Sequence, residues 1–80
     1  MKTIHNSRYQ AFLPLLLEAK VEAGITQKEL ATKLGRSQSF VSKTENAERR
    51  LDVIEFMDVC RGLDADMHEL LIKFAKMDPE

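Results

Sequence analysis

Residues 26–46 read TQKELATKLGRSQSFVSKTEN, and this stretch decides the fold. Leu30, Ala31 and Leu34 stand at positions i, i+1 and i+4, which places an apolar stripe along one side of a short helix. Gly35 follows directly, where a helix end needs the left-handed backbone that glycine adopts most cheaply. A short helix that stops in a sharp turn is therefore predicted.

The residues behind this turn predict another helix. Ser37 stands at a natural N-cap position, and the helix is expected to cover residues 38–46. Its outer face is polar, and Val41 is the residue that looks buried. Two short helices joined by a tight glycine turn, the second with a polar outer face, form the layout of a DNA-reading helix-turn-helix.

A longer helix is predicted ahead of this unit, over residues 7–23, and Thr26 caps the helix over residues 27–34. Pro14 lies about two turns into the longer helix, where its ring lacks an amide hydrogen and clashes with the preceding turn. The alternatives are a kink at Pro14 or a helix that begins near it after a separate turn. The side expected to be apolar carries Leu13, Leu16, Leu17, Lys20 and Val21.

Two more helices are predicted after a basic loop. Asp52 caps a fourth helix that ends near Leu63, and Asp66 caps a fifth over about residues 67–75. No strand is predicted, so we expect residues 1–80 to form one all-α, five-helix domain. The expected inward faces comprise Val53, Phe56, Met57, Cys60 and Leu63 on the fourth helix and Leu70, Leu71 and Phe74 on the fifth.

Composition limits the class of protein. Eighty residues, 44% of them hydrophobic, suffice for one small domain. No apolar run approaches the roughly 18 residues of a membrane span, and the first ten residues lack the apolar segment of a signal peptide. Cys60 is the only cysteine, which excludes an internal disulfide. We therefore expect a prokaryotic or phage-type protein of the cytoplasm.

Charge is distributed unevenly along the chain. The net charge is −1, which taken alone argues against a nucleic-acid ligand. Residues 26–50, however, carry six basic and three acidic side chains, whereas residues 51–80 carry three basic and eight acidic ones. Positive charge is thus gathered on the predicted helix-turn-helix, and negative charge on its expected far side.

Residues 20–71 resemble the lambda-repressor-like helix-turn-helix family, of the Cro/repressor or XRE type. The pattern T-Q-x-x-L-A-x-x-L-G occupies residues 26–35, and a Ser-capped helix that ends in Glu occupies residues 37–45. The basic loop Glu48-Arg49-Arg50 and an amphipathic helix at 53–63 complete the pattern. The resemblance implies a compact lambda-repressor-like DNA-binding domain whose second and third helices form the helix-turn-helix.

Several residues acquire structural roles from this resemblance. The helices need a small residue where they cross, a glycine at the turn, an apolar plug between them, and an ion pair that ties the first helix to the third. These roles fall on Ala31, Gly35, Val41, and the pair of Lys20 and Glu45. The family usually has arginine where this chain has lysine, so a bidentate fork is lost.

Two further residues depart from the family pattern. Thr44 stands where a larger apolar residue is usual, which either thins the core or brings in a hydroxyl bonded to the backbone one turn earlier. Asp64 stands where the family usually ends the fourth helix with glycine. Because aspartate tolerates left-handed geometry better than most residues, the helix end is still expected there.

The resemblance also implies two sets of DNA contacts. Base edges would be met by Gln38, Ser39, Ser42 and Lys43, and phosphates by Gln27, Ser37, Arg49 and Arg50. A glutamine amide can bond adenine N6 and N7 together, which makes Gln38 the strongest candidate. The alternative is that the first set is only a solvated polar helix face and that the arginines lie in an ordinary solvent-exposed loop. Phe40 either packs under the basic loop or touches a thymine methyl.

No catalytic, cofactor or metal site is predicted. His5 and His68 are isolated, and no other ligand type lies at metal spacing from them. Cys60 lies on an apolar helix face, as a small core residue does. No glycine-rich phosphate loop follows a strand, since no strand is predicted. An enzyme is therefore not expected.

The expected function is sequence-specific transcriptional regulation by a homodimer on a two-fold symmetric, operator-like site in double-stranded DNA. Pairing two copies raises affinity, since one helix reads only a few base pairs. The alternative is an antitoxin-type interaction module that binds a protein toxin and regulates its own operon, although no long disordered tail is present to wrap a partner. The candidate dimer surface is the last helix, with Met67, Leu70, Leu71, Phe74 and Met77.

Overall fold

The computed structural model describes residues 7–77, in which five α-helices and no strand occur. The predicted all-α class is confirmed for this part of the chain. His5 and the last three residues lie outside the described range. The elements are α1 (Ser7–Ala23), α2 (Gln27–Leu34), α3 (Gln38–Glu45), α4 (Val53–Leu63) and α5 (Met67–Met77). Compared with prediction, α3 ends one residue earlier, at Glu45, with Asn46 as its C-cap, and α5 runs two residues further.

Helix α1 continues through Pro14 without interruption, so the alternative of a separate turn before it is wrong. Pro14 is exposed, and its ring therefore faces solvent rather than the core. Leu13 and Leu16 are the buried residues of the helix. Val21, expected on the same side, is 75% exposed, because it lies in the last turn of α1, near the end of the packed face.

Short-range hydrogen bonds set the ends of the helix-turn-helix. The Glu29 amide donates to Thr26 Oγ1 at 3.1 Å, and the Thr26 amide donates back to Glu29 Oε1 at 2.9 Å, which forms a capping box at the start of α2. Gly35 ends α2 at a φ of 65°, in the left-handed region that favours glycine. The Phe40 amide donates to Ser37 Oγ at 3.1 Å, so α3 begins where the sequence predicts.

The second half of the chain is capped in the same manner. Asp52 forms a capping box with Glu55 at the start of α4, as predicted for the cap. Asp64 ends α4 at a φ of 54°, so the predicted helix end is confirmed despite the missing glycine. Ala47, in the loop after α3, also has a positive φ, of 59°, and this strained position was not predicted.

One apolar core joins the helices. Helix α4 packs closely on α2, since a Cβ added at Gly62 would lie only 3.1 Å from Leu30 Cδ1. Val59 is 3% exposed and was missed as a core residue, whereas Val53, expected to be buried, is 67% exposed. The reason is that Val53 opens α4, where the helix has not yet reached the core. The buried cluster comprises Leu16, Leu30, Ala31, Phe40, Val41, Phe56, Val59, Cys60, Leu63 and Leu70.

An aromatic cluster fixes α5 against the rest of the domain. The ring of Phe12 on α1 makes edge-to-face contacts with Phe56 on α4 and Phe74 on α5, at centroid distances of 5.4 and 5.6 Å. Leu70 is buried as predicted, but Leu71 is 45% exposed, so its predicted inward orientation is wrong. Between residues 7 and 77, none of the helices combines the length and apolar character that a membrane crossing requires.

Candidate nucleic-acid interface

Helix α3 presents a polar face and buries an apolar one. Phe40, Val41 and Thr44 are buried, and Val41 is 2% exposed. Gln38 and Ser39 at the start of the helix are exposed, and Ser42 and Lys43 one turn later are half-buried. Because these four residues are spaced at i, i+1, i+4 and i+5, they lie on one side of α3. The structure thus brings the four predicted base-contact residues together on its outer face.

The buried face of α3 contains one polar side chain, that of Thr44. Its hydroxyl donates to the carbonyl of Phe40 at 2.9 Å, one turn earlier, and the residue is 4% exposed. Of the two alternatives, the backbone-bonded hydroxyl is therefore confirmed. The cavity beside Thr44 measures about 20 Å³, room for a single water molecule.

An ion pair joins α1 to the end of α3. Lys20 Nζ lies 2.9 Å from Glu45 Oε1, and the two side chains are only 17% and 12% exposed. Gln27 Nε2 donates to the same oxygen at 2.9 Å. The amide of Gln27 is thereby oriented at the first residue of α2, and one of its hydrogens stays available for another acceptor. Ala31, 4% exposed, lies in the core on the same helix.

A second polar network surrounds Phe40. The guanidinium carbons of Arg36 and Arg49 lie 3.9 and 4.6 Å from the centre of its ring. Arg49 donates from Nη1 and Nη2 to the two carboxylate oxygens of Glu55, each at 3.1 Å. Arg36 approaches the same carboxylate at 3.6 Å. Phe40 therefore packs beneath the basic loop, which is the first of its two predicted roles.

The charge of Glu55 is fixed by these neighbours. The hydrogen bonds from Arg49, followed by the bond from the Asp52 amide, hold the pKa of the Glu55 carboxyl below its ordinary value of 4.5. Its carboxylate is consequently ionised at neutral pH. Arg50, the next residue after Arg49, is exposed and forms no ion pair with a carboxylate among residues 7–77.

Some of these relationships have no signal in the sequence. Glu55 follows Asp52 by three residues, which is a readable capping-box pattern, but its pairing with Arg36 and Arg49 depends on tertiary packing. The bond from Gln27 to Glu45 spans 18 positions and is equally invisible. Within the described residues, no three carboxylate, imidazole or thiol groups are arranged to hold a metal ion.

A capped, half-exposed polar helix held across a glycine turn by buried contacts defines a DNA-binding helix-turn-helix protein. A family model described as helix-turn-helix matches residues 16–70. The structure of an XRE-family like protein from Pseudomonas syringae pv. tomato str. DC3000 is 72% identical in sequence, with 94% of each chain covered and a TM-score of 0.86. The chain belongs to the XRE family of helix-turn-helix proteins, which are DNA-binding transcriptional regulators and not enzymes.

Two further solved structures share the fold at lower identity. The clp gene regulator ClgR from C. glutamicum is 24% identical, with 89% of this chain and 92% of that chain covered and a TM-score of 0.76. A point mutant of the restriction-modification controller protein C.Esp1396I is 19% identical, with coverage of 96% and 100% and a TM-score of 0.82. No curated protein sequence matches this chain significantly.

Proposed function

We propose that this protein recognises a specific DNA sequence by placing α3 in the major groove. The observation that carries the proposal is the exposed polar side of α3, with Gln38 and Ser39 at its capped start, opposite a face buried by Phe40 and Val41. A helix anchored in this manner offers its amino-terminal side chains to base edges. Gln38 is the residue best suited to an adenine, and Ser39, Ser42 and Lys43 complete the reading set.

Phosphate contacts would fix α3 in the groove. The start of α2 carries the amide of Gln27, oriented by Glu45, and the N-terminus of a helix attracts an anion through its dipole. Ser37 precedes α3, and the loop after α3 carries Arg49 and Arg50. These contacts would position the protein without selecting a sequence. As a DNA-binding regulator of the prokaryotic or phage type, the protein would act in the cytoplasm.

The acting form in this proposal is a homodimer. Leu71 and Ile72 on α5 are 45% and 55% exposed, which is a high apolar exposure for one helix of a small domain. A two-fold axis would bury this group against its copy and present two reading helices to one DNA site. Leu70 and Phe74, which the sequence places in the candidate dimer surface, do not belong to it, since both pack within the monomer.

Selection of binding sites from a random pool of DNA duplexes by the purified chain tests the proposal. We expect a two-fold symmetric sequence with half-site centres about 34 Å apart, one helical turn of DNA. Failure to enrich any sequence would contradict specific recognition. Enrichment of a single half-site, together with a monomer in sedimentation, would instead favour the antitoxin-type alternative, in which the exposed apolar side of α5 binds a protein toxin.

A further inference from the structure

The two arginines of the loop after α3 have different surroundings. Both guanidinium ends of Arg49 are occupied by the carboxylate of Glu55, and the Arg49 side chain is 35% exposed. The hydroxyl of Tyr9 donates to the carbonyl of Arg49 at 3.4 Å, which adds a second anchor from α1. Arg50 is exposed and has no carboxylate partner among residues 7–77. The loop therefore holds one arginine inward and presents its neighbour to solvent.

Glu55 is itself held in place from several directions. Its Oε1 accepts a hydrogen bond from the Asp52 amide at 2.9 Å, as part of the cap of α4. Arg36 lies 3.6 Å from Oε2, and the carboxylate side chain is only 15% exposed. If Arg49 moved to a phosphate, two charge-assisted bonds would break and a partly buried carboxylate would be left nearer to the DNA charge. The bonds to Glu55 therefore oppose any movement of the Arg49 side chain toward a DNA phosphate.

We infer that Glu55 is a positioning residue for DNA binding: it retains Arg49 within the protein and leaves Arg50 as the phosphate contact of this loop. The inference deepens the proposed function and rests on its placement of the loop against the DNA backbone. It revises the pair of equivalent arginines expected from the sequence, because the charge of Arg49 is paired with a carboxylate and that of Arg50 is not, among residues 7–77. Each phosphate contact contributes about 0.9 to the slope of log affinity against log salt.

The salt dependence of binding to a labelled duplex of random sequence, measured by fluorescence anisotropy between about 50 and 200 mM salt, tests the inference. The central variant is the double substitution Arg49→Gln with Glu55→Gln, which removes the internal ion pair and keeps the local net charge of the parent. Arg50→Gln is compared with Arg61→Gln, an exposed arginine at the far end of α4. Glu55→Gln is compared with Glu69→Gln, an exposed glutamate in the first turn of α5.

We expect the double variant to keep the parent slope, and Arg50→Gln to reduce it by about 0.9. Glu55→Gln alone should steepen the slope by up to about 0.9, because Arg49 is then released, while the two remote controls change nothing. If the double variant fell to the slope of Arg50→Gln, Arg49 would be a phosphate contact in the parent and the inference would be wrong.

Two further outcomes are distinguishable. Should Glu55→Gln and the double variant fail to fold, as judged by circular dichroism, Arg49→Gln alone carries the test. It is expected to lose less than half the slope that Arg50→Gln loses, and an equal loss would overturn the inference. A parent that binds no random-sequence DNA even at low salt would remove the proposed function itself, and the inference with it.

Discussion

One carboxylate oxygen, Oε1 of Glu45, is shared at 2.9 Å by Lys20 Nζ from α1 and Gln27 Nε2 from α2. The end of α3 is thereby tied to both preceding helices at a single point. Lysine supplies a point charge there, and the planar fork of arginine would supply two parallel bonds. The same oxygen links the stability of the domain to the orientation of Gln27, a proposed phosphate contact.

Removing the cation from this site should destabilise the fold. Lys20→Met leaves Glu45 partly buried with only the Gln27 amide as a partner, and we expect a loss of about 1–2 kcal/mol. Lys20→Arg should instead be neutral or stabilising by up to about 1 kcal/mol, since the fork can engage both oxygens. Urea denaturation measures both changes. Lys28→Met, at an exposed position of α2, is the control, and an equal loss there would show that the ion pair contributes nothing.

The left-handed end of α4 gives a second prediction. Asp64 has a φ of 54°, so Asp64→Gly relieves strain and should raise the free energy of unfolding by about 0.5–1 kcal/mol. The matched control is Asp58→Gly, the same change within α4, where glycine should lower it by about 1 kcal/mol. Thermal melts compare the two. Equal destabilisation by both substitutions would mean that the aspartate at position 64 is not strained.

Local features of the fold could be predicted from the sequence, whereas features set by tertiary packing could not. The caps Thr26, Ser37 and Asp52 were placed correctly because capping is a local interaction over three residues. Exposure of Val53 was not predicted, because periodicity places a residue on a helix side but not at the edge of a core. The left-handed Ala47 has no residue-type signal at all.

The candidate site divides in the same manner. Gln38 and its neighbours are the base contacts that the family resemblance implies, and their spacing predicts that they share one side of a helix. The ion pair of Lys20 with Glu45 was expected from the resemblance. The bond from Gln27 to Glu45 and the pairing of Arg49 with Glu55 were not, because they depend on how the folded elements pack. The family resemblance implies which positions face DNA. The packing shows which of their side chains already have a partner within the protein.

Because of the capping carboxylate of Glu55, the free energy of unfolding should depend on pH in the acid range. Its folded-state pKa lies below 4.5, so the stabilisation that it provides is present above the unfolded pKa and is lost as pH falls through the folded pKa. We expect the parent to lose stability below about pH 4.5 more steeply than Glu55→Gln, which has no proton to gain. Urea midpoints across this range measure the difference. Parallel pH profiles for the two proteins would contradict the prediction.

Base recognition by α3 is tested through Gln38. Gln38→Ala should remove the preference at one base position of each half-site, at a cost of about 1–3 kcal/mol, and leave binding to random DNA unchanged. Gel shifts with the selected site and with sites altered one base pair at a time measure this preference. Arg50→Ala is the comparison, since a phosphate contact should weaken all sequences alike. Uniform weakening by Gln38→Ala would assign it to the backbone instead.

The last prediction concerns the exposed apolar side of α5. Leu71→Glu and Ile72→Glu place a charge where a second copy would pack, so we expect a folded monomer with much weaker binding to the selected site. Val21→Glu is the matched control, because Val21 is an apolar residue that is 75% exposed on α1 and lies outside the proposed surface. Leu70→Glu should unfold the domain, because Leu70 belongs to the monomer core.

Sedimentation and thermal melts separate these outcomes. A dimer that persists in both α5 variants would move the interface elsewhere, and Val53 and Ile54 at the start of α4, 67% and 61% exposed, would then be the next surface to test. A parent that stays monomeric at the highest concentration reached would end the homodimer proposal. The apolar side of α5 would in that case be better explained by a different protein partner, because a lone monomer gains nothing from exposing it.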